Sequence, residues 1–541
     1  MKKSLVVPAV VISLTALLAG CAGGGGTSDP TSSADDVELL TGTPAATTAV
    51  DEISWGYNAQ LPTLDPAQSI SRAAGQVIAN LCDSLLITQP DFTVTDNLAS
   101  LEYENDTTLV LTLEDATFWD GSPVTADDAV YSLERTMDPA QASEWAPYFA
   151  NVTSIEARDD STLVIELSEP DAVFERALGT LAGAVMQREF SEAAGDEVGS
   201  LQGTLMCSGP FTYDSSTASS ITLAKNENYW NDDRQPLAEK LTINYLVDGA
   251  TASAALTAGD VQGMYSFPAD ATDTLSTSSA GKIYLGQSTA QFSFIIGNLE
   301  DNPLEDVRLR QALSLGMDRA AIASKVFGQS GTAATSMYGT AITSQLGGSS
   351  EAAVFAPGAD LEAAQELVDE VVAEKGEQRP IVISYTTGVG PEVGQMVLYL
   401  QQVAEQLGLA VELNDQPPPV WIEGIMAAQT NPSFDLTFGY GGPVIADPVA
   451  VLIDFQPGAI SNYTGYDNEV VNEAIATGRS TSDPAERISA ALAAQEQLAE
   501  DLPRIPVANV ANLLFMSNDI TGAPASSAAN GFPWGAVVGG R

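Results

Sequence analysis

The stretch from Thr108 to Arg135 changes its hydrophobic period in a way that predicts a strand, a turn and a helix in succession. Apolar residues occupy alternate positions from Leu109 to Leu113, which is the period of a strand with one face against a core. Asp120-Gly121 predicts a turn. Thr125 then stands where a helix N-cap is expected, because a side-chain oxygen there can accept from the free N–H groups of the first turn. The buried face of this helix would consist of Ala129, Val130 and Leu133.

The same two periods recur along the rest of the chain. Strand patterns occur at 53–57, 163–167, 241–246 and 381–385, and helical patterns occur at 361–373, 392–407 and 485–502. Strands that alternate with helices in this way predict an α/β architecture. About 490 residues follow the polar N-terminal region, more than one hydrophobic core usually supports, so we expect at least two lobes.

Several motifs resemble those of the extracytoplasmic solute-binding proteins of ABC importers, in the oligopeptide, dipeptide and nickel-binding family (family 5). The string at 108–135, TLVLTLEDATFWDGSPVTADDAVYSLER, is similar to a signature of this family, and Leu64-Asp65-Pro66 is similar to its early LDP element. Other similar elements follow in the expected order: Ser208-Gly209-Pro210-Phe211, NENYW at 226–230, DVRLRQA at 306–312 and Met317-Asp318-Arg319. Together the motifs cover most of residues 52–510.

The resemblance implies a two-lobed clamp like the type II periplasmic binding proteins. Lobe one would comprise residues 51–295 and 500–541, with an inserted subdomain at about 83–200, and lobe two would comprise 296–499. Proteins of this family enclose a solute between the lobes and deliver it unchanged to a membrane permease and its ATPase. The resemblance therefore implies a receptor without enzymatic activity or cofactor, and we expect a monomer.

The first 20 residues predict a lipoprotein signal peptide. Lys2 and Lys3 precede an apolar run at 5–18 that is too short for a convincing membrane span. Leu18-Ala19-Gly20-Cys21 matches a lipobox, so we expect Cys21 to carry the lipid that holds the protein on the outer face of the cytoplasmic membrane. Residues 21–50 are rich in Gly, Ser, Thr and Asp, which predicts a flexible tether.

The formal net charge is −50, from 71 acidic and 21 basic residues. A surface this acidic excludes nucleic acid as a partner. It also disfavours attraction to anionic lipid head groups, so contact with the membrane would depend on the lipid anchor. Two interpretations of the charge stay open: a solvated surface that maintains solubility, and steering of cationic ligands towards a cleft.

The chain contains no His. A Ser-His-Asp triad, a Cys-His pair and an H-E-x-x-H zinc helix are therefore impossible, and the nickel branch of the family is disfavoured. We find no metal motif. A pair of carboxylates of the glycosidase type stays open as a distant alternative, because such pairs are defined by their separation in space.

Two cysteines, Cys82 and Cys207, remain after Cys21. An exported protein works where disulfides persist, so we expect these two to pair. The alternative is two separate buried thiols. The pattern at 77–86 predicts an apolar helix that contains Cys82, and Cys207 precedes the turn at 208–211.

A ligand-contacting segment is implied by the resemblance. In relatives it follows a strand of lobe two with a pattern like G-W-x-x-D…D-P, and the corresponding stretch is GYGGPVIADP at 439–448. Pro443 stands where peptide-binding relatives carry the carboxylate that meets the amino terminus of the ligand. Asp447 is either a substitute for that carboxylate or the cap of a helix or turn.

Aromatic side chains suit such a cleft, because they offer rigid area for stacking and attract cations to their faces. Packing in the core is the alternative for each of them. The candidate ligand-binding residues are Tyr57, Asn58, Gln60, Trp421, Phe438, Tyr440, Gly441, Gly442 and Asp447.

Three hypotheses for function follow. The leading one is an import receptor for a peptide or peptide-like solute. The second is the same role for an oligosaccharide or another non-peptide solute, which Pro443 and the aromatic residues favour. The third is an exported carboxylate-based hydrolase. A receptor that senses a solute without importing it would share nearly all of these features.

Overall fold

The computed structural model describes residues 38–69, 72–348, 352–459 and 461–541. The predicted signal peptide, Cys21 and most of the predicted tether lie outside these residues. Within the described ranges, no helix has both the length and the apolar character needed to cross a membrane.

The strands, in chain order, are β1 Val50–Tyr57, β2 Leu86–Thr88, β3 Val94–Asp96, β4 Ala99–Asn105, β5 Thr108–Leu113, β6 Val152–Asp159, β7 Thr162–Leu167, β8 Phe211–Ser216, β9 Ser220–Lys225, β10 Ala238–Tyr245, β11 Gly263–Tyr265, β12 Gly281–Gly286, β13 Gln291–Ile296, β14 Gly331–Ala333, β15 Ile381–Tyr385, β16 Val411–Asp415, β17 Leu436–Gly441, β18 Arg504–Val510, β19 Asn512–Ser517, β20 Ile520–Thr521 and β21 Gly539–Gly540. The helices are α1 Arg72–Ile78, α2 Ala126–Met137, α3 Ala172–Ala177, α4 Arg188–Ala194, α5 Gly249–Ala258, α6 Thr272–Ser276, α7 Val307–Leu315, α8 Arg319–Phe327, α9 Thr340–Thr343, α10 Leu361–Lys375, α11 Pro391–Gln406, α12 Pro418–Met426, α13 Pro448–Leu452, α14 Glu469–Arg479 and α15 Pro484–Asp501.

Lobe one is built on a seven-stranded sheet with the order β12-β19-β11-β1-β10-β9-β8. β1 lies in its middle and pairs in parallel with β10 and β11. The alternate residues Ile53, Trp55 and Tyr57 of β1 are buried, as the period of two predicts. These residues belong to the large core of this lobe.

An inserted subdomain lies between β1 and β8. Its four-stranded antiparallel sheet has the order β4-β5-β7-β6, and α2 packs on that sheet through Ala129 and Leu133, which are fully buried. The start of α2 matches the prediction. Asp128 fixes it by accepting hydrogen bonds from the N–H (3.0 Å) and the hydroxyl (2.6 Å) of Thr125.

Lobe two is built on a six-stranded sheet with the order β14-β18-β13-β17-β15-β16. Residues 287–290 connect the first sheet to β13, and Ala511 connects β18 back to β19. These two short crossings form the hinge. The predicted lobe boundaries at 296 and 499 need correction, because β13 and all of β18 pair within the second sheet.

The family-like motifs contact one another. Arg135, at the end of the 108–135 signature, donates two hydrogen bonds to the buried Asp65 of the LDP element, at 2.7 and 2.6 Å. Tyr229 and Trp230 both donate to Asp83, at 3.0 and 2.8 Å. Burial raises the pKa of the Asp83 carboxyl group, and the bonds from the two aromatic residues oppose that shift.

A disulfide joins Cys82 and Cys207 inside the core of lobe one. The predicted helix at 77–86 is wrong, because α1 ends at Ile78. The carbonyls of Asn80 and Leu81 accept instead from the N–H groups of Phe211 and Gly209, at 3.0 and 2.9 Å. Pairing with a distant segment therefore overrides the local apolar pattern around Cys82.

The predicted tether also ends earlier than residue 50. Leu40 donates its N–H to the carbonyl of Leu285 (2.9 Å), and Thr43 donates to the carbonyl of Ala523 (3.0 Å). From about residue 40 the chain is therefore attached to lobe one, close to its C-terminal segment.

Candidate functional site

The hinge defines which edges of the two sheets face each other. In lobe one, β12 ends at the hinge, and β1, β10 and β11 end at the same edge because all four strands are parallel. In lobe two, β13 begins at the hinge and β17 runs antiparallel to it, so β17 and its parallel neighbours β15 and β16 end at the hinge side. Ligands of open α/β sheets bind outside the carboxyl ends of the strands. The segments that follow these strand ends therefore form the candidate site.

On lobe one, hydrogen bonds to backbone carbonyls connect the segments that follow the strand ends. Leu246 donates its N–H to the carbonyl of Tyr57 (2.6 Å). The side-chain amide of Asn58 donates to the carbonyl of Ser266 (2.6 Å). Gln60 is exposed beside them. Asn58 and Gln60 thus lie at the edge where the sequence analysis expects polar ligand contacts.

On lobe two, the loop after β15 and the start of α12 lie against each other. Thr387 donates its N–H (3.1 Å) and its hydroxyl (3.0 Å) to the carboxylate of Asp415, at the end of β16. A Cβ added to Gly388 would lie 2.5 Å from the ring of Pro418, so this glycine permits the close approach of α12.

Large apolar side chains are exposed along these segments. Six of the eleven exposed large hydrophobic residues among the described ones follow the strand ends, and they are Val247, Val389, Val420, Ile422, Met426 and Tyr440. Four of them, Val389, Val420, Ile422 and Met426, lie in the loop after β15 and in α12, which pack against each other, and clustered exposed apolar side chains mark binding grooves or interfaces. The edge of lobe two therefore has the character of a binding surface.

The predicted aromatic contacts divide into two groups. Tyr57 is 2% exposed and Phe438 is 3% exposed, so both side chains pack in the core. The prediction that these two residues contact the ligand is therefore corrected. Phe438 is stacked on Trp421, with ring centroids 4.7 Å apart. Trp421 is half-buried and donates its indole N–H to the hydroxyl of Thr437 (3.1 Å). Tyr440 is 42% exposed, and its ring also packs against those of Phe292 and Phe327, with centroids 6.0 and 5.8 Å away.

The glycines after Tyr440 serve the hinge. A Cβ added to Gly442 would lie 1.7 Å from the carbonyl oxygen of Thr289, and the hydroxyl of Thr289 donates to the carbonyl of Pro443 (2.9 Å). Gly441 has a φ of 147° and pairs with Gln291 at the start of β13. Close packing on the hinge explains Gly442, whereas the sequence analysis assigned it to the approach of a ligand.

Asp447 is the cap of a helix. Its side chain accepts from the N–H groups of Val449 (2.8 Å) and Ala450 (3.1 Å) at the start of α13. It also forms ion pairs with Arg487 (2.6 Å) and Arg176 (2.8 Å), and its side chain is only 1% exposed. The prediction that it contacts the ligand is therefore corrected, because its carboxylate is enclosed and already neutralised.

The match to a known family completes this description. The model of the bacterial extracellular solute-binding proteins, family 5 (Middle), matches residues 93–463. The chain belongs to this family.

Individual relatives of this family 5 protein are distant but cover nearly the whole chain. The dipeptide-binding protein DppE of Bacillus subtilis is 24% identical over 494 residues, which are 85% of this chain and 87% of the relative. The murein tripeptide binding protein MppA of Escherichia coli has a TM-score of 0.73 at 20% identity, covering 92% of this chain and 99% of that one. AgaA from A. tumefaciens R10, solved with agropinic acid, has a TM-score of 0.75 at 20% identity, covering 91% and 98%. These structures confirm the two-lobed fold.

The sequence analysis missed two parts of the site in this family 5 protein. One is α12, where Val420, Ile422 and Met426 are exposed although large apolar side chains of a surface helix usually face the core. The other is Glu392, in the first turn of α11. A Cβ added to Gly390 would lie 2.2 Å from a carboxylate oxygen of Glu392, so this side chain folds back over the loop after β15. Burial raises the pKa of the Glu392 carboxyl group.

In the described part of the chain, no group of three or more His, Cys, Asp or Glu side chains is placed to hold a metal ion.

Proposed function

We propose that this chain is the substrate-binding lipoprotein of an ABC importer, which captures a peptide or peptide-like solute between its lobes and delivers it to a membrane permease. The observation that carries this proposal is the pair of facing strand-end edges, one with an exposed apolar surface, joined by two short hinge crossings. Family membership and relatives named for dipeptides and murein peptides support it.

The proposed mechanism is capture without chemistry. A solute binds one edge in the open form, and closure about residues 287–290 and Ala511 adds contacts from the other edge. A ligand that touches both lobes only when closed favours closure by its differential affinity, and a shift from mostly open to mostly closed requires about 5.5 kcal/mol. We assign ligand contact to Asn58, Gln60, Trp421, Tyr440 and the backbone at Gly441.

The location follows from the N-terminal sequence. We propose that Cys21 carries the lipid and that the residues between it and about residue 40 act as the tether. The protein would then be held at the outer face of the cytoplasmic membrane, and we expect it to act as a monomer. Replacing Cys21 with Ser should release it from the membrane fraction without changing its ligand affinity.

Binding of randomised pentapeptides tests the proposal. The mature chain, residues 21–541 with Cys21→Ser, is incubated with the mixture, and retained peptides are identified by native mass spectrometry. We expect unmodified peptides to be retained. A retained peptide at one hundred times its dissociation constant should raise the free energy of unfolding by about 2.7 kcal/mol.

A matched pair of variants locates the site. Tyr440→Ala should weaken binding of a retained peptide about tenfold, the effect of losing one aromatic anchor. Tyr103→Ala is the control, because Tyr103 is 43% exposed on β4 of the inserted subdomain and should leave the affinity unchanged. Cleavage of the peptides would contradict the receptor role, and retention of oligosaccharides without peptides would establish the non-peptide alternative.

A further inference from the structure

We propose that Glu392 binds the positive charge of the ligand, so that the cleft selects solutes that carry a protonated amine. This inference rests on the proposed function and names the class of solute that the site accepts. Asp447 cannot bind this charge, because Arg176 and Arg487 already neutralise its buried carboxylate.

The position of Glu392 fits this role. α11 begins at Pro391, directly after the loop that follows β15. The carboxylate of Glu392 folds back over Gly390 towards that loop, as the 2.2 Å separation from a Cβ placed at residue 390 shows. β15 is the neighbour of β17, the strand that carries Tyr440. Glu392 and Tyr440 therefore stand on adjacent strand-end segments of the same edge.

The bonding of Glu392 differs from that of two other acids at the strand ends, Asp415 in lobe two and Asp248 in lobe one. Asp415 is bound by the N–H and hydroxyl of Thr387, and Asp248 caps α5 by accepting from Thr251 (2.8 Å). Within the described residues, Glu392 forms no ion pair with a Lys or an Arg, and its own backbone N–H only partly offsets the rise of its pKa on burial. It is nevertheless half-buried. A half-buried carboxylate gains most from a cation, because partial loss of water has weakened its hydration.

The charges of the surrounding segments point to the same class of ligand. No Lys or Arg occurs in the six strand-end segments, 57–61, 245–248, 265–271, 385–393, 415–423 and 439–446. The same segments contain the five acids Asp248, Asp270, Glu392, Asp415 and Glu423. A ligand carboxylate therefore finds no cation in these segments, whereas a ligand amine finds carboxylates and the exposed ring of Tyr440, whose face also attracts cations.

The apolar side chains define the rest of the ligand. Val389 lies in the same loop as Gly390, three residues before Glu392, and is exposed. Val420 and Ile422 are exposed on α12, whose start packs against that loop. A solute with an amine at Glu392 would therefore place uncharged, apolar groups on this surface.

Three mixtures of randomised pentapeptides, all amidated at the carboxyl terminus, test the inference. The first has free amino termini and no Lys or Arg. The second is acetylated and has no Lys or Arg, and the third is acetylated with one central Lys. Retention by the mature chain with Cys21→Ser is measured by native mass spectrometry, and dissociation constants follow by calorimetry. We expect at least tenfold tighter binding of the first or third mixture than of the second. Tighter binding of the first mixture would identify the terminal amine as the bound group. Tighter binding of the third mixture would identify a side-chain amine.

Glu392→Gln should remove this preference for amines by weakening the amine-bearing peptides to the level of the acetylated ones. Glu405→Gln is the control, because Glu405 lies exposed near the far end of the same helix; this variant should keep the preference. Equal binding of all three mixtures by the unaltered site would overturn the inference but leave the peptide receptor standing. A preference that survives Glu392→Gln would overturn the role of this residue. Retention of no mixture would overturn both the inference and the proposed function.

Discussion

At the scale of single residues, five arginines of this acidic chain are paired with buried aspartates. Asp65, Asp171, Asp435 and Asp447 have side chains that are at most 1% exposed, and each is paired with an arginine. Burial of an unpaired carboxylate is costly, and an arginine provides several donors in a fixed geometry. The pairing explains how these four aspartates can be buried in a chain with 71 acidic and 21 basic residues.

Asp447→Asn tests this pairing. The substitution leaves Arg487 and Arg176 without their shared anion, and Arg487 is almost fully buried. Breaking a buried pair by removing one partner destabilises a protein by about 3 to 5 kcal/mol, and we expect a loss of that size in chemical denaturation. The control is Glu104→Gln, which removes the exposed partner of Arg158 and should cost less than about 1 kcal/mol. Equal losses in the two variants would contradict this account of Asp447.

At the scale of elements, helices and strands are predicted most accurately where a segment keeps a single hydrophobic period throughout. The strand at 381–385 coincides with β15, and the helices predicted from 361, 392 and 485 correspond to α10, α11 and α15, each with its start within one residue of the prediction. The helix expected at 77–86 fails because its backbone pairs with residues 209–211. The role of Gly442 is equally hidden, because the atom that requires a glycine there belongs to Thr289, far away in the chain.

Gly442→Ala tests the packing between the loop after β17 and the hinge. The added methyl group would lie 1.7 Å from the carbonyl oxygen of Thr289, so the hinge backbone must move. Forcing a group into a packed site typically costs about 1 to 3 kcal/mol, and we expect a loss in that range together with weaker peptide retention. Gly358→Ala is the control, since nothing lies within 4 Å of a Cβ at that position. If the two alanine variants were equally stable, the close approach to Thr289 would not constrain the hinge.

At the scale of the whole molecule, the two lobes could be anticipated from length and from the family-like motifs, but their limits could not. β13 and β18 belong to lobe two because of the strands they pair with, and pairing partners are not visible in a local pattern. The same holds for the segment from Leu40, whose polar sequence resembles a tether although its backbone bonds to Leu285. Long-range hydrogen bonds therefore decide the features that the sequence leaves open.

The disulfide between Cys82 and Cys207 is a covalent bond between two segments that are far apart in the sequence. The two cysteines are 125 residues apart, and the inserted subdomain lies inside the loop that they close. In the chain-entropy account, a loop of this length contributes about 4 to 5 kcal/mol by restricting the unfolded chain.

The double variant Cys82→Ala with Cys207→Ala should lose about this amount of stability in chemical denaturation. A reducing agent should destabilise the parent chain similarly and leave the double variant unchanged, which separates loss of the bond from loss of the two sulfur atoms. A reductant effect on the double variant, or a loss below about 1 kcal/mol instead of the expected loss of about 4 to 5 kcal/mol, would show that closing this loop does not stabilise the folded chain.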